Sequence, residues 1–201
     1  MALVTCPGCK NKIKVDQHLN APTPPPAEPK QEEAVDTVGM VMNQEEFEDD
    51  DDLRVLIYTG EGRAFSTGIN IRKAPDYLYL NPKERTTKWI TPNSIKLSKP
   101  TIAAINGFAI GGGLELALGC DMRIMAESAK VGLSEVKLGA LPGGGGTQWL
   151  PRLIGLGDAL MMMLTGEPID AAEAFRLRLV QKVVPDDQLL DEAMKIAEAI
   201  A

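Results

Sequence analysis

The chain has 201 residues, of which 44% are hydrophobic and 4% aromatic, and its formal net charge is −7. That apolar content is enough for one globular domain with its own core. The acidic balance argues against nucleic acid and anionic membrane surfaces as partners, and no apolar run has the length of a membrane span. The three cysteines form no disulfide framework, so we expect an intracellular protein, cytoplasmic or mitochondrial, with no clear transit peptide.

The first 44 residues are predicted to form a mostly disordered, Pro-rich arm. Residues 21–29 read APTPPPAEP, a composition typical of polyproline segments and linkers. Cys6 and Cys9 form a lone CxxC pair. A structural zinc site needs four ligands and no second pair follows, so two free thiols are the favoured interpretation unless two chains share a metal.

Residues 45–201 are predicted to form an α/β domain. Apolar runs bounded by glycine or proline predict strands, and longer segments with apolar residues at helical spacing predict helices, one of them with Asp170 as its N-cap. Strands that alternate with helices favour a parallel sheet with crossovers. The predicted strands are 53–58, 101–105, 123–126 and 182–184, and the predicted helices follow the triple glycine or span 159–164, 171–177 and 187–201. Residues 75–98, cut by prolines, are predicted to be irregular.

Glycine-rich turns follow the predicted strands. Gly111, Gly112 and Gly113 come after one strand and open an apolar helix. The free N–H groups of such a helix start, together with its dipole, favour a negatively charged oxygen. The turn at 60–68 reads GEGRAFSTG. It lacks the ending of a P-loop and the spacing of a dinucleotide fingerprint, so both nucleotide-binding interpretations are rejected.

Two glutamates lie beside glycine turns. Glu115 falls in the first turn of the predicted helix among apolar neighbours, so we expect a poorly solvated carboxylate with a raised pKa. Pairing with the helix dipole is the alternative reason for a glutamate at this position. Glu135 alone is typical of an ordinary surface carboxylate. Two carboxylates together can share acid and base work on one water molecule. A Ser-His-Asp triad is rejected because His18, the one histidine, lies in the arm, and Cys120 is predicted to pack as a small apolar residue.

Three blocks of the sequence resemble the crotonase family, the enoyl-CoA hydratase/isomerase superfamily. Residues 54–71 read RVLIYTGEGRAFSTGINI, residues 99–117 read KPTIAAINGFAIGGGLELA, and residues 138–148 read LGALPGGGGTQ. The resemblance implies an α/β fold that is a crotonase-like spiral of ββα units, here truncated at both ends. It also implies an acyl-CoA thioester as the bound partner, no metal, no cofactor beyond the coenzyme A of the substrate, and a homo-oligomer, trimer or hexamer.

The resemblance also assigns roles to residues. It implies that Glu115 and Glu135 are catalytic, with Glu115 activating a water molecule and Glu135 delivering a proton. By the same resemblance, the amides of Ile69 and Gly112 would form an oxyanion hole for the thioester carbonyl. The implied substrate-binding residues are Ala64, Ser66, Gly68, Asn70, Ile71, Gly111, Pro142 and Gly143.

The resemblance favours an enoyl-CoA hydratase of fatty acid metabolism because family members with other reactions often lack one of the two glutamates. This lyase adds water reversibly to a 2-enoyl-CoA and gives a 3-hydroxyacyl-CoA. Two alternatives stay open: a 3,2-enoyl-CoA isomerase or other crotonase reaction, and a truncated, non-catalytic binding protein. The missing ends predict weak activity or a need for another subunit. Asn70 replaces an aspartate that is common in the family, so we expect a local change there. Trp149 stands where the family usually has arginine, so we expect a surface or packing change.

Overall fold

A computed structural model describes residues 47–68 and 97–201, and the backbone of two short strands at 2–5 and 12–16. Within these ranges the chain forms two β-sheets with helices packed on them. Strands of the larger sheet lead through tight turns into strands of the smaller sheet. The smaller sheet in turn leads to the two glutamates singled out in the sequence.

The larger sheet has six strands. They are β1 (Ala2–Thr5), β2 (Lys12–Asp16), β3 (Leu53–Thr59), β5 (Thr101–Ile105), β7 (Met122–Ala126) and β10 (Lys182–Val184), and this is also their order in the sheet. Neighbouring strands from β2 to β10 are parallel, and β1 pairs with β2 antiparallel. Strand β5 is buried along its whole length, as expected for a central parallel strand covered on both faces. The four predicted strands and the parallel sheet are confirmed.

Strands β1 and β2 lie within residues 1–44, the segment predicted to be mostly disordered, and that prediction otherwise falls outside the described residues. They form an antiparallel pair, and β2 joins the larger sheet by parallel pairing with β3. The sequence of β2, KIKVD, alternates polar and apolar residues with the period of a strand. The polar composition of the segment hides this short signal. Cys6, Cys9 and the Pro-rich stretch lie outside the described residues, and the domain boundary near residue 45 stays a prediction.

The smaller sheet has four strands. They are β4 (Ala64–Ser66), β6 (Phe108–Ile110), β8 (Lys130–Gly132) and β9 (Ile169–Asp170), again in that order. Strands β3 and β4, β5 and β6, and β7 and β8 follow each other in sequence but lie in different sheets. Asn106 fixes two of these turns, because its side-chain oxygen accepts from the N–H of Gly60 at 2.8 Å and its amide donates to the carbonyl of Gly62 at 3.2 Å. These strand–turn–strand units are those of the expected ββα spiral.

The helices follow the strands and confirm the predicted ones. They are α1 (Gly112–Gly119), α2 (Gly146–Ile154), α3 (Leu156–Thr165), α4 (Ala171–Arg176) and α5 (Leu189–Ile200), with 3₁₀ turns at Glu135–Leu138 and Asp186–Gln188. Asp170 caps α4 as predicted, since its side chain accepts the N–H of Glu173 at 2.9 Å. Helix α2 was not predicted, because its glycine-rich start and the internal Pro151 are typical helix breakers.

Helix α5 packs across the central strands of the larger sheet. Its buried residues are Leu189, Ala193 and Ala197, spaced four residues apart as on one helix face. Ala193 and Ala197 are buried as predicted and Met194 packs against the core, whereas Leu190, also expected on that face, is 37% exposed.

None of the helices within residues 47–68 and 97–201 is long and apolar enough to cross a membrane. Most of the segment predicted to be irregular, residues 75–98, lies outside the described residues.

Candidate active site

Helix α1 begins at the triple glycine and is packed tightly against β4. Gly111, its N-cap, has a φ of 58°, a left-handed conformation that favours glycine. Gly113 lies so close to β4 that a Cβ atom there would be 1.9 Å from the carbonyl oxygen of Ser66. The amides that open α1 therefore approach β4 more closely than side chains would allow.

Glu115 lies in the first turn of α1 and is only 2% exposed. The N–H of Gly146 donates a hydrogen bond to its Oε1 atom at 2.9 Å. Burial raises the pKa of Glu115, the Gly146 hydrogen bond opposes that rise, and repulsion from Glu135 adds to it. The prediction of a poorly solvated carboxylate with a raised pKa is confirmed.

The glycine turn at 143–146 wraps around the Glu115 carboxylate. A Cβ atom on Gly144 would be 2.6 Å from Oε2, and one on Gly146 would be 3.1 Å from Oε1. The same Cβ position on Gly146 lies 2.8 Å from Leu133 and 2.9 Å from Pro142, so apolar side chains limit the access of water. The turn thus brings backbone donors to the carboxylate where a side chain would not fit.

Glu135 is the first residue of the 3₁₀ turn that follows β8. Its Oε2 atom is buried and makes no hydrogen bond within the described part of the chain, and burial raises its pKa. The Oε1 atom lies 3.1 Å from the Cβ position of Gly111, which puts the carboxyl beside the start of α1. The charge of Glu135 also acts on Glu115. The structure therefore brings the two glutamates together, and an ordinary surface carboxylate is the wrong interpretation of Glu135.

The end of α3 supports the 3₁₀ turn that carries Glu135. The Ser134 hydroxyl donates to the carbonyl of Gly166 at 2.9 Å. Val136 also packs there, since a Cβ atom on Gly166 would be 2.9 Å from its Cγ1 atom. A solvent-exposed ion pair joins Lys137 to Glu167 at 2.9 Å. These contacts of Ser134, Val136 and Lys137 hold the 3₁₀ turn against the residues that follow α3.

The residues after β4 reach the first amides of α1. A Cβ atom on Gly68 would be 2.8 Å from the nitrogen of Gly112, and the Gly68 N–H donates to the Ser66 hydroxyl at 3.3 Å. Gly112 carries one of the two amides expected in the oxyanion hole. The other expected donor and two substrate-binding candidates lie outside the described residues; they are Ile69, Asn70 and Ile71.

The remaining predicted substrate-binding residues divide into two groups. Pro142 is buried next to the Gly146 turn, and Gly143 is exposed at its start, so both lie near Glu115. Ala64 lies at the opposite end of β4, where its carbonyl accepts from the side-chain amide of Asn106 at 3.4 Å. The structure does not bring Ala64 to the two glutamates.

Within residues 47–68 and 97–201, the thiol of Cys120 does not join this site. Cys120 is buried, and burial raises the pKa of its thiol to about 12, so it packs as a small apolar residue, as predicted. In residues 47–68 and 97–201, no cluster of histidine, cysteine, aspartate and glutamate side chains could hold a metal ion.

The sequence model of a family described as enoyl-CoA hydratase/isomerase matches residues 32–201. The chain belongs to this family. Family membership confirms the crotonase resemblance, and the match extends upstream into the segment that the sequence analysis assigned to the arm.

Relatives within the enoyl-CoA hydratase/isomerase family are similar over most of this chain. A probable enoyl-CoA hydratase of Mycobacterium bovis is 44% identical over 156 residues, 78% of this chain and 61% of the relative. The (E)-benzylidenesuccinyl-CoA hydratase of Thauera aromatica is 48% identical over 159 residues, 76% of this chain and 60% of the relative. A crystal structure of an enoyl-CoA hydratase from Bacillus anthracis matches with a TM-score of 0.72 at 40% identity, and the match covers 81% of this chain and 64% of the crystallised chain. The chain spans about three fifths of the length of these two curated relatives.

One part of this candidate site was not predicted from the sequence. Gly144 and Gly146 belong to a visible glycine run, but the hydrogen bond from Gly146 reaches a glutamate 31 residues earlier in the chain. Sequence spacing gives no sign of such a contact. The signal that could have found it is the run itself, because four successive glycines at a helix start leave every amide free to approach an anion.

Proposed function

We propose that this chain catalyses the reversible addition of water to a 2-enoyl-CoA, giving a 3-hydroxyacyl-CoA. The observation that carries the proposal is the meeting of Glu115 and Glu135, both with raised pKa values, beside the amides that open α1. Relatives named as hydratases of enoyl-CoA and crotonyl-CoA support it.

The proposed reaction transfers one water molecule and no electrons. A base removes a proton from water as the oxygen attacks C3 of the substrate and forms the new C–O bond. The electron pair of the C2–C3 double bond moves towards the thioester carbonyl, which becomes an enolate. An acid then delivers a proton to C2 as the carbonyl forms again. These steps balance without a redox partner or a metal, and coenzyme A enters as part of the substrate.

The two glutamates are suited to different halves of this reaction. Glu115 accepts the N–H of Gly146, and the amides of Gly144 and Gly145 also favour its ionised form, which is the form that a base needs. Glu135 has a buried oxygen without a partner among the described residues and a raised pKa, which suits a group that carries a proton. Glu115 therefore activates the water, and Glu135 protonates C2.

The enolate oxygen binds to the amides of Ile69 and Gly112 in this proposal. Support comes from the close approach of Gly68 to the Gly112 nitrogen at the start of α1. Preorganised N–H donors at a developing oxyanion typically contribute about 3–4 kcal/mol each to the transition state. The proposed contacts to the rest of the substrate come from Ser66, Asn70, Ile71, Gly111, Pro142 and Gly143.

Hydration of a short 2-enoyl-CoA in ¹⁸O-labelled water tests the proposal. The enoyl-thioester absorbance should fall, and the product should carry one labelled oxygen. Glu115→Gln and Glu135→Gln should each lower kcat by about 10²–10⁴-fold. Near-full activity of either variant would refute the catalytic role proposed for that glutamate. A product without the label would indicate an isomerase, and binding of acyl-CoA without turnover would indicate the non-catalytic alternative.

A homo-oligomer, trimer or hexamer, and a cytoplasmic or mitochondrial location belong to the same proposal. A relative from Dictyostelium discoideum that is 45% identical is named a mitochondrial enoyl-CoA hydratase. Light scattering of the purified chain tests the oligomeric state.

A further inference from the structure

The indole of Trp149 lies on the glycine turn that surrounds Glu115. Trp149 is in the first turn of α2, and a Cβ atom on Gly145 would be 3.0 Å from its Cδ1 atom and 3.3 Å from its Nε1 atom. The backbone N–H groups of Gln148 and Trp149 both donate to the Gly145 carbonyl at 2.9 Å. The ring and the helix backbone therefore hold Gly145 from two directions.

Gly145 is the residue of this turn that most needs such support. Its φ is 118° and its ψ is −6°, a conformation that residues with side chains rarely adopt. Glycine has no side chain of its own to pack, so its backbone freedom must be limited by neighbours. Apart from its two chain neighbours, the atoms of the described residues within 4 Å of its Cβ position belong to the Trp149 indole.

We propose that Trp149 is a positioning residue, whose indole holds the turn at 144–146 so that the Gly146 N–H reaches the Glu115 carboxylate. Trp149 is 38% exposed, so its ring covers the turn rather than filling the core. The surface or packing change expected where the family usually has arginine thus has a defined contact, Gly145. The effect of Trp149 on reaction rate rests on the proposed function, but its effect on Glu115 does not.

The electrostatic surroundings of Glu115 set the direction of the expected change. Glu135, on the 3₁₀ turn, is the charged group among the described residues that acts on it, and the first turn of α2 carries no acidic residue. The Gly146 donor favours the carboxylate over the carboxylic acid. If the turn loosens and this donor moves away, the pKa of Glu115 rises further. A base with a higher pKa is ionised only at higher pH.

Glycine-selective ¹⁵N labelling tests this contact without any need for turnover. The amide signal of Gly146 should shift as Glu115 titrates, and Glu115→Gln should abolish the shift. In Trp149→Ala the midpoint should rise by about one pH unit, the equivalent of one hydrogen bond to a charged group. Trp149→Phe, which keeps a ring over Gly145, should stay close to the parent. Phe175→Ala removes an aromatic side chain that is 54% exposed on α4, and this matched control should change nothing.

Kinetics provide the second arm of the experiment. Trp149→Ala should lower kcat for hydration about tenfold with little change in KM, and it should move the acid limb of the pH profile upwards. An unshifted Gly146 midpoint in folded Trp149→Ala would overturn the proposal. If the alanine variant does not fold, Trp149→Leu serves in the same test. If Trp149→Ala shifts the midpoint but the parent chain hydrates no enoyl-CoA, the positioning role stands and the proposed function is refuted. If the parent chain hydrates enoyl-CoA but Trp149→Ala leaves the midpoint unchanged, the proposed function stands and the positioning role is refuted.

Discussion

At the two glutamates, one residue type lies in two different environments. Glu115 accepts a hydrogen bond from Gly146 at 2.9 Å, whereas Glu135 has a buried Oε2 atom with no partner among the described residues. Burial raises the pKa of both carboxyls. Amides of the glycine turn stabilise the charge of Glu115, whereas the charge of Glu135 is favoured by its own backbone N–H. Under the proposed function, this difference makes Glu115 the base and Glu135 the acid, the division that addition of water requires.

We expect a bell-shaped dependence of kcat/KM on pH. The rate should rise as the pair loses its first proton, which makes Glu115 a base, and fall as it loses its second, which removes the acid. Because the pKa of each carboxyl is raised from its usual 4.5, both limbs should lie above that value. Steady-state hydration rates across the pH range measure the profile. The residual activity of Glu135→Gln should lack the alkaline limb, and a profile without any acid limb would contradict the role of Glu115.

Glu135→Gln should make the folded chain more stable at neutral pH while it removes activity. The pKa of Glu135 in the folded chain is above its unfolded value of 4.5. Below pH 4.5 the carboxyl is therefore protonated in both states and does not lower the free energy of unfolding. As pH rises through the folded pKa, the buried charge lowers the free energy of unfolding. We expect the glutamine variant to gain on the order of 1 kcal/mol at neutral pH, and the gain to vanish in acid. Urea unfolding at two pH values measures this, and an equal gain in acid would show that charge is not the cause.

At the scale of elements, the 3₁₀ turn at Glu135–Leu138 depends on the end of α3. Ser134→Ala removes the hydrogen bond to the Gly166 carbonyl and loosens the turn that aims Glu135. We expect kcat for hydration to fall about tenfold with little change in KM, since small misplacements of a reacting group lower the rate strongly. Lys137→Gln is the matched control, because it breaks the exposed ion pair to Glu167, which contributes little, and leaves the Ser134 hydrogen bond in place. Equal effects of the two substitutions would show that the Ser134 contact does not position Glu135.

The sequence predicts an element well when local chemistry alone decides it. Strand β5 was predictable because its apolar run is bounded by Pro100 and Asn106, and the start of α4 because Asp170 caps it. Helix α2 was not, because Pro151 and four glycines oppose a helix that packing against α1 and α3 stabilises. The environment of Glu135 depends on contacts with Gly111 and Gly166, both distant in sequence. Local patterns therefore identified the two glutamates but not what surrounds them.

At the scale of the whole molecule, the candidate site is assembled from successive ββα units. Glu115 follows β6, Glu135 follows β8, and the glycine turn that holds Glu115 comes after both. Each unit supplies one part, and the parts meet because the strands of the smaller sheet are parallel from β4 to β8. Parallel strands end at the same edge of a sheet, so the loops that follow them are neighbours. The geometry of the site is thus a consequence of how the units stack.

Arg123, near the start of β7, joins neighbouring parts of the fold. It is 3% exposed, and its guanidinium donates to the carbonyls of Cys120 at 2.6 Å and Leu179 at 2.9 Å. It thereby joins the end of α1 to the segment between α4 and β10. Arg123→Ala leaves these buried carbonyls without donors and opens a cavity, and we expect a loss of about 3 kcal/mol in the free energy of unfolding.

Arg123→Lys should recover only part of this stability, because one ammonium group cannot reach both carbonyls as the planar guanidinium does. Arg152→Ala is the control for loss of an arginine, since Arg152 is exposed and, among the described residues, donates to Gln148 within α2, and its effect should stay within about 0.5 kcal/mol. Urea unfolding of the three variants measures the differences. If Arg123→Ala were as mild as Arg152→Ala, the end of α1 would be held by apolar packing alone. The carbonyls of Cys120 and Leu179 would then have to find other donors, because buried carbonyls rarely stay unpaired.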